Sequence, residues 1–115
     1  MSIENPDVVD FVAIEHGQTK IALAISSHWD WSHPLEHVYA LQEKMNTYAV
    51  FIESGQVWKA ASEHSGVAIA PGSIPIEIKV FLRCDPPQVF FDFMDRAREV
   101  FAAVGVSVAH EMRPG

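Results

Sequence analysis

The chain has 115 residues, 49% of them hydrophobic and 20% charged, enough for one compact domain with its own core and too little for two. Eight Lys and Arg against fifteen Asp and Glu give a net charge of -7, a field that repels phosphate backbones and anionic lipid, so nucleic acid and membrane surfaces are set aside as partners. No internal repeat, low-complexity tract or linker divides the chain.

From Val8 to His16 two faces alternate, Val8, Asp10, Val12 and Ile14 against Val9, Phe11, Ala13 and Glu15, which predicts a strand. HGQTK then supplies a turn, and Ile21, Leu23 and Ile25 alternate with Ala22, Ala24 and Ser26 to complete a hairpin. Pro34 suits the first turn of a helix, with Ser32 or His33 as its cap. The helix is expected to run to about Ser54, because Val38, Leu41, Met45, Tyr48 and Ile52 recur at intervals of three and four and Gly55 suits a left-handed terminus.

Residues 56–73 have no clear period and read either as a functional loop or as cover for a short hidden element. Ile74, Ile76, Ile78, Val80 and Leu82 alternate with Pro75, Glu77, Lys79, Phe81 and Arg83, a strand with one strongly apolar face. Asp85-Pro86-Pro87-Gln88 reads as a cap opening a second helix, with a stripe of Phe90, Phe93, Met94, Ala97, Val100, Phe101 and Val104 that stops at Gly105. Val106 to Met112 alternates once more and forms a last strand. The order ββαβαβ predicts an α/β (α+β) two-layer sandwich, a mixed four-stranded sheet with two helices on one face, because right-handed crossovers stepping in one direction place both helices on the same side.

If the isoleucine-rich phases face the helices, the reverse of the sheet displays Ala22, Ala24, Glu77, Lys79, Phe81, Arg83, Ser107 and Ala109, with Phe11 beside them. Such a face, small residues plus phenylalanines, suits pairing with a second copy, and Phe11, Ala22, Ala24, Phe81 and Ala109 are its expected contacts. The alternative has Phe11 and Phe81 half covered by the 56–73 loop, with Trp58 as lid. On the first helix His37, Lys44 and Phe51 line a flank at heptad spacing, and Tyr39 and Val50 lie near solvent, a second candidate surface for a protein partner.

The segment SSHWDWSHPLEH concentrates the candidate chemistry. His28, Asp30, His33 and His37 have a spacing from which a metal site could be assembled, since His33 and His37 share a helix face if His33 is helical. Pro34 argues that His33 stands at the cap instead, and the segment lacks the second histidine of the His-x-His-x-Asp-His pattern of metallo-hydrolases. A plainer reading has Trp29 and Trp31 pinning the strand-to-helix corner while Asp30 and Ser32 satisfy free N–H groups. A third has His28 with Asp30 or Glu36 as an acid-base or ligand pocket. For ligand binding the candidates are His28, Asp30, Trp31, His33, His37 and Lys44. Cys84 ahead of Asp85-Pro86 could act as a nucleophile with His110 or His64 as base, although nothing in the sequence places those histidines beside it. Gly-rich phosphate loops and Ser-centred elbows are absent, and no cofactor is indicated.

Cys84 is the one cysteine, so no intrachain disulfide can form, and the N-terminal MSIENPDVVDF carries acids where a secretory signal needs basic residues; a reducing cytoplasm is the expected compartment. No apolar stretch reaches the roughly 18 residues that span a bilayer.

The opening IENPDVVDF, the ISSHWDW turn and above all LQEKMNTYAVFIESGQV resemble a small bacterial family that carries a domain-of-unknown-function label, over Ile3 to about Gly105. The resemblance implies a short, single-domain cytoplasmic protein and carries over no functional residue. It draws notice to His28, Asp30, Trp31, Gln42, Lys44, Asn46, Tyr48, Glu53, Ser54 and Gly55 as motif positions, while the loop after Gly55 departs from the pattern. The leading expectation is a non-enzymatic interaction or ligand-binding module, homodimeric, with an unidentified protein partner as a further option. The alternatives are a small metal-dependent or acid-base enzyme centred on the histidine segment and an immunity-type inhibitor of a basic toxin.

Overall fold

The computed structural model describes residues 12–15, as backbone only, and 20–113. The order is β1 (Val12–Glu15), β2 (Lys20–Ser27), α1 (Pro34–Glu53), α2 (Gln56–Ser65), β3 (Ile76–Leu82), α3 (Gln88–Ala102) and β4 (Val106–Met112). The strands lie in the order β1-β2-β3-β4. The long strands β2, β3 and β4 are parallel throughout, Ile21 opposite Ile76 and Ile76 opposite Val106. An antiparallel pairing is confined to the four-residue edge strand β1 against β2. The body of the sheet is therefore parallel where a mixed one was expected, because the antiparallel hairpin is reduced to a four-residue edge while helical crossovers join the long strands.

One side of the sheet is closed. Ile21, Leu23 and Ile25 of β2, Ile76, Ile78, Val80 and Leu82 of β3, and Val106 and Val108 of β4 are buried with Leu41, Met45 and Tyr48 of α1 and Phe90, Met94 and Phe101 of α3. Full burial of each large aliphatic side chain contributes about 1.5–3 kcal/mol, so the strict alternation along β2 and β3 fixes which face turns inward. Because β2, β3 and β4 step in one direction, both right-handed crossovers fall on the same side.

The expected element order changes at one point, since residues 56–73 contain a third helix, α2. Gly55, at φ 84°, takes the left-handed conformation that ends α1 and starts α2 at once. With buried side chains at Val57 and Ala61 only, α2 has too narrow a stripe to declare its period. Trp58 packs against the core instead of lidding the reverse face. The second-helix cap is also corrected: α3 starts at Gln88 with Pro87 before it and no side-chain cap, so Asp85 does not serve. Val100 and Val104, placed in the α3 stripe, are 66% and 52% exposed.

Candidate functional site at the strand ends

The parallel strands deliver their C-terminal ends and the N-termini of α1 and α3 to one edge of the sheet, where ligands of open α/β sheets collect. Ser27, last residue of β2, continues the inward phase of Ile25 and is 4% exposed. Its Oγ lies 2.6 Å from Nε2 of His37, one turn into α1 and 1% exposed, and it accepts the Trp29 N–H at 3.4 Å. The Trp31 ring stacks on the imidazole at 3.7 Å and 23°, and Trp29 approaches at 5.4 Å with a tilt of 54°. Trp31 Nε1–H donates to the Cys84 carbonyl at 3.1 Å, and Phe90 meets Trp31 edge-on at 5.6 Å. His110 of β4 closes the row against Phe90 and Phe91. One aromatic stack thus ties both helix starts to the ends of all three long strands.

His37 Nδ1 is buried without a hydrogen-bond partner. Burial pushes the imidazole below its ordinary pKa of 6.5, and the nearby Asp30 backbone and carboxylate oppose this only in part. Burial therefore favours the neutral form of the ring. Asp30 is exposed and turned back on its own loop, its Oδ1 accepting the Ser32 O–H at 2.6 Å and N–H at 3.1 Å. Those bonds, with smaller contributions from His33 and His37, hold its carboxyl below the ordinary value.

The residues singled out in the sequence therefore separate into four kinds. His37 and Trp31 belong to the packed corner, and Asp30 shapes the turn before α1. His28 and His33 are exposed; His33 stands at the N-cap of α1, as Pro34 argued, but its side chain makes no capping hydrogen bond. Lys44, two turns along α1, is fully buried with its Nζ 5.8 Å from the Tyr48 ring centre, where a solvent-facing flank was expected for both it and His37. The actual core side of α1 is centred on His37, Leu41, Lys44 and Tyr48. Among the described residues no group of three or more His, Cys, Asp or Glu side chains could hold a metal, so His28, Asp30, His33 and His37 do not converge. Nor does any described hydrogen bond join Cys84 to His110 or His64; Cys84 contributes its carbonyl, and His64 is exposed on α2. Sequence reasoning missed Ser27, although its parity with Ile21, Leu23 and Ile25 placed it inside.

On the reverse of the sheet Ala22, Ala24, Phe81 and Ala109 are half-buried, as the alternation predicted, with Lys79 in register between Ala24 and Ala109 and Glu77 opposite Ala22, while Phe11 lies outside the described residues. More charge shares this face than expected. Glu77 bonds Lys20 at 3.0 Å with Lys79 at 3.9 Å, and the Arg113 guanidinium covers the Phe81 ring at 4.2 Å while bonding Glu111 at 3.0 Å.

Fold and site together define a two-layer α/β domain with three helices over a parallel sheet and an aromatic, closed corner at the strand ends. The chain belongs to the DUF6572 family, a family of unknown function, whose model matches residues 1–114 and so takes in the whole stretch on which the resemblance rests. Neither the curated proteins nor the solved structures contain a match. No helix among the described residues is long and apolar enough to cross a membrane.

Proposed function

We propose that the protein is a non-catalytic interaction module that works as a homodimer, two copies meeting through the face of the sheet that no described helix covers. The observation that carries this reading is a parallel sheet whose described helices all lie on one side. Parallel sheets occur almost only with both faces covered, and here Ala22, Ala24, Phe81 and Ala109 lie on the bare one. Small side chains permit the close approach of about 10 Å at which sheets stack. Charge supports a second copy as the occupant. Among the described side chains Lys20, Lys79 and Arg113 against Glu77 and Glu111 nearly cancel on this face, on a chain of net charge -7, so self-association meets little repulsion there. Strand spacings of about 4.8 Å and rises of about 3.3 Å per residue give each copy a face of roughly 400 Å². Two such faces fall below the roughly 1,200 Å² of a stable complex, so the dimer is expected to dissociate in the micromolar range. The packed corner fits the same reading: its serine hydroxyl and the imidazole Nε2 are paired with each other under two indoles.

Light scattering across the micromolar range tests the proposal. A mass rising from one copy to two is expected for the natural chain, and Ala109→Arg, a half-buried position facing Lys79 in register, is expected to hold it at one copy with an unchanged circular dichroism spectrum. A natural chain that stays single at high micromolar concentration, or a variant that dimerises equally well, overturns it.

A further inference from the structure

The helical layer, on the opposite side from that face, carries a feature of its own. Between α1 and α3 runs a groove of about 350 Å³. Val38 and Met45 of α1 and Phe93 and Val100 of α3 form its apolar walls, with Gln42, Asn46 and Arg96 among them. Arg96 has no carboxylate within ion-pair reach among the described residues, although the chain is strongly acidic. Of the acidic side chains near it on α3, Asp92, one turn back, accepts from Gln88 Nε2 at 3.1 Å, Asp95 pairs with Arg98 at 3.1 Å, and Glu99, three residues on, makes no ion pair with it. Gln42 and Asn46, one turn apart on α1, make no side-chain hydrogen bond to any described residue. A guanidinium and two amides thus share one apolar groove with their donors unspent.

We infer that this groove binds a small monocarboxylate with an apolar body, the carboxylate held by the fork of Arg96 and the body lying between Val38, Met45, Phe93 and Val100. The charge complementarity is specific, since a planar guanidinium offers two parallel donors to a carboxylate and an alcohol can take only one. Size narrows the class further. At the ~30 Å³ that one water-sized group fills, the groove admits a ligand of about a dozen non-hydrogen atoms, at the small end of ligand pockets.

The soluble pair 4-phenylbutyrate and 4-phenylbutanol separates charge from bulk. Titration of the full chain by calorimetry and by amide chemical shifts is expected to show the carboxylate binding at least about tenfold more tightly than the alcohol, a ratio set by a charge-assisted hydrogen bond. Shifts are expected to cluster on α1 and α3. Arg96→Gln, at an exposed position, is expected to bring the carboxylate down to the alcohol's affinity, and Asn46→Trp to block both by filling the groove. The dimer-breaking Ala109→Arg is expected to bind as the natural chain does, so this site and the sheet-face dimer succeed or fail separately. No saturation in the millimolar range, equal affinity for acid and alcohol, retained preference in Arg96→Gln, or shifts centred elsewhere overturns the inference.

Discussion

A single neutral histidine decides how the strand-to-helix corner responds to acid. His37 is buried between Ser27 and two indoles, and burial places its folded-state pKa below the 6.5 it has when exposed. The unfolded chain therefore binds a proton more readily than the folded one, so the stability contributed by the neutral ring is complete above pH 6.5 and is lost as pH falls below it. Urea denaturation at neutral pH and at about pH 5 is expected to show this loss in the natural chain and a smaller one in His37→Phe, which keeps a ring under Trp31 but cannot titrate. Equal losses in the two proteins would remove His37 from the acid response. Much of this corner was legible in the sequence: parity put Trp31 inward, and Pro34 fixed where the helix begins. The burial of His37 and Lys44 was not, because the apolar stripe of α1 was drawn through Val38 and Ile52, both only half-buried, and polar side chains enter no such pattern.

At the scale of elements, β4 poses the problem that every terminal strand poses. It closes the described sheet with one edge unpaired, and an open edge is a template for another strand. Arg113 N–H bonds Leu82 on the β3 side, so alternate residues, Val108 among them, turn their backbone groups outward. Arg98 reaches down from α3 and donates its Nε–H to the Val108 carbonyl at 3.2 Å, while Asp95 steadies the guanidinium. A charged side chain laid over an edge carbonyl blocks strand addition. Arg98→Ala is expected to leave the fold intact and to add concentration-dependent assembly beyond two copies, read as rising scattering and thioflavin binding. A variant that stays at the mass of the natural chain would give Arg98 no guarding role. The elements themselves were readable where one side-chain face is buried over four or more residues, as in α1, α3, β2 and β3. The helix α2 was not, having two buried side chains in ten residues.

For the whole molecule, crossover handedness carries the argument from sequence to surface. Two apolar-striped helices between strands implied a sheet covered on one side, and the observed order β2-β3-β4 satisfies the condition on which that rested, a steady step in one direction. Strand order itself was out of reach, since pairing is decided by contacts between segments about 50 residues apart, such as Ile21 with Ile76. In the proposed dimer this face sets how association responds to salt. Each copy carries a net charge of -7, and bringing two together opposes the attraction of the stacked sheets at long range. Screening shortens from about 10 Å at 0.1 M to about 3 Å at 1 M salt, which removes the repulsion between whole molecules and leaves the short-range packing of Ala22, Ala24, Phe81 and Ala109 almost untouched. Sedimentation equilibrium is therefore expected to give a tighter dimer at high salt. The Lys20–Glu77–Lys79 pairs close within one copy and so contribute little to the contact; a dimer that loosens with salt would mean that these charges exchange partners across the interface, and that the faces meet through ion pairs and not through their small side chains.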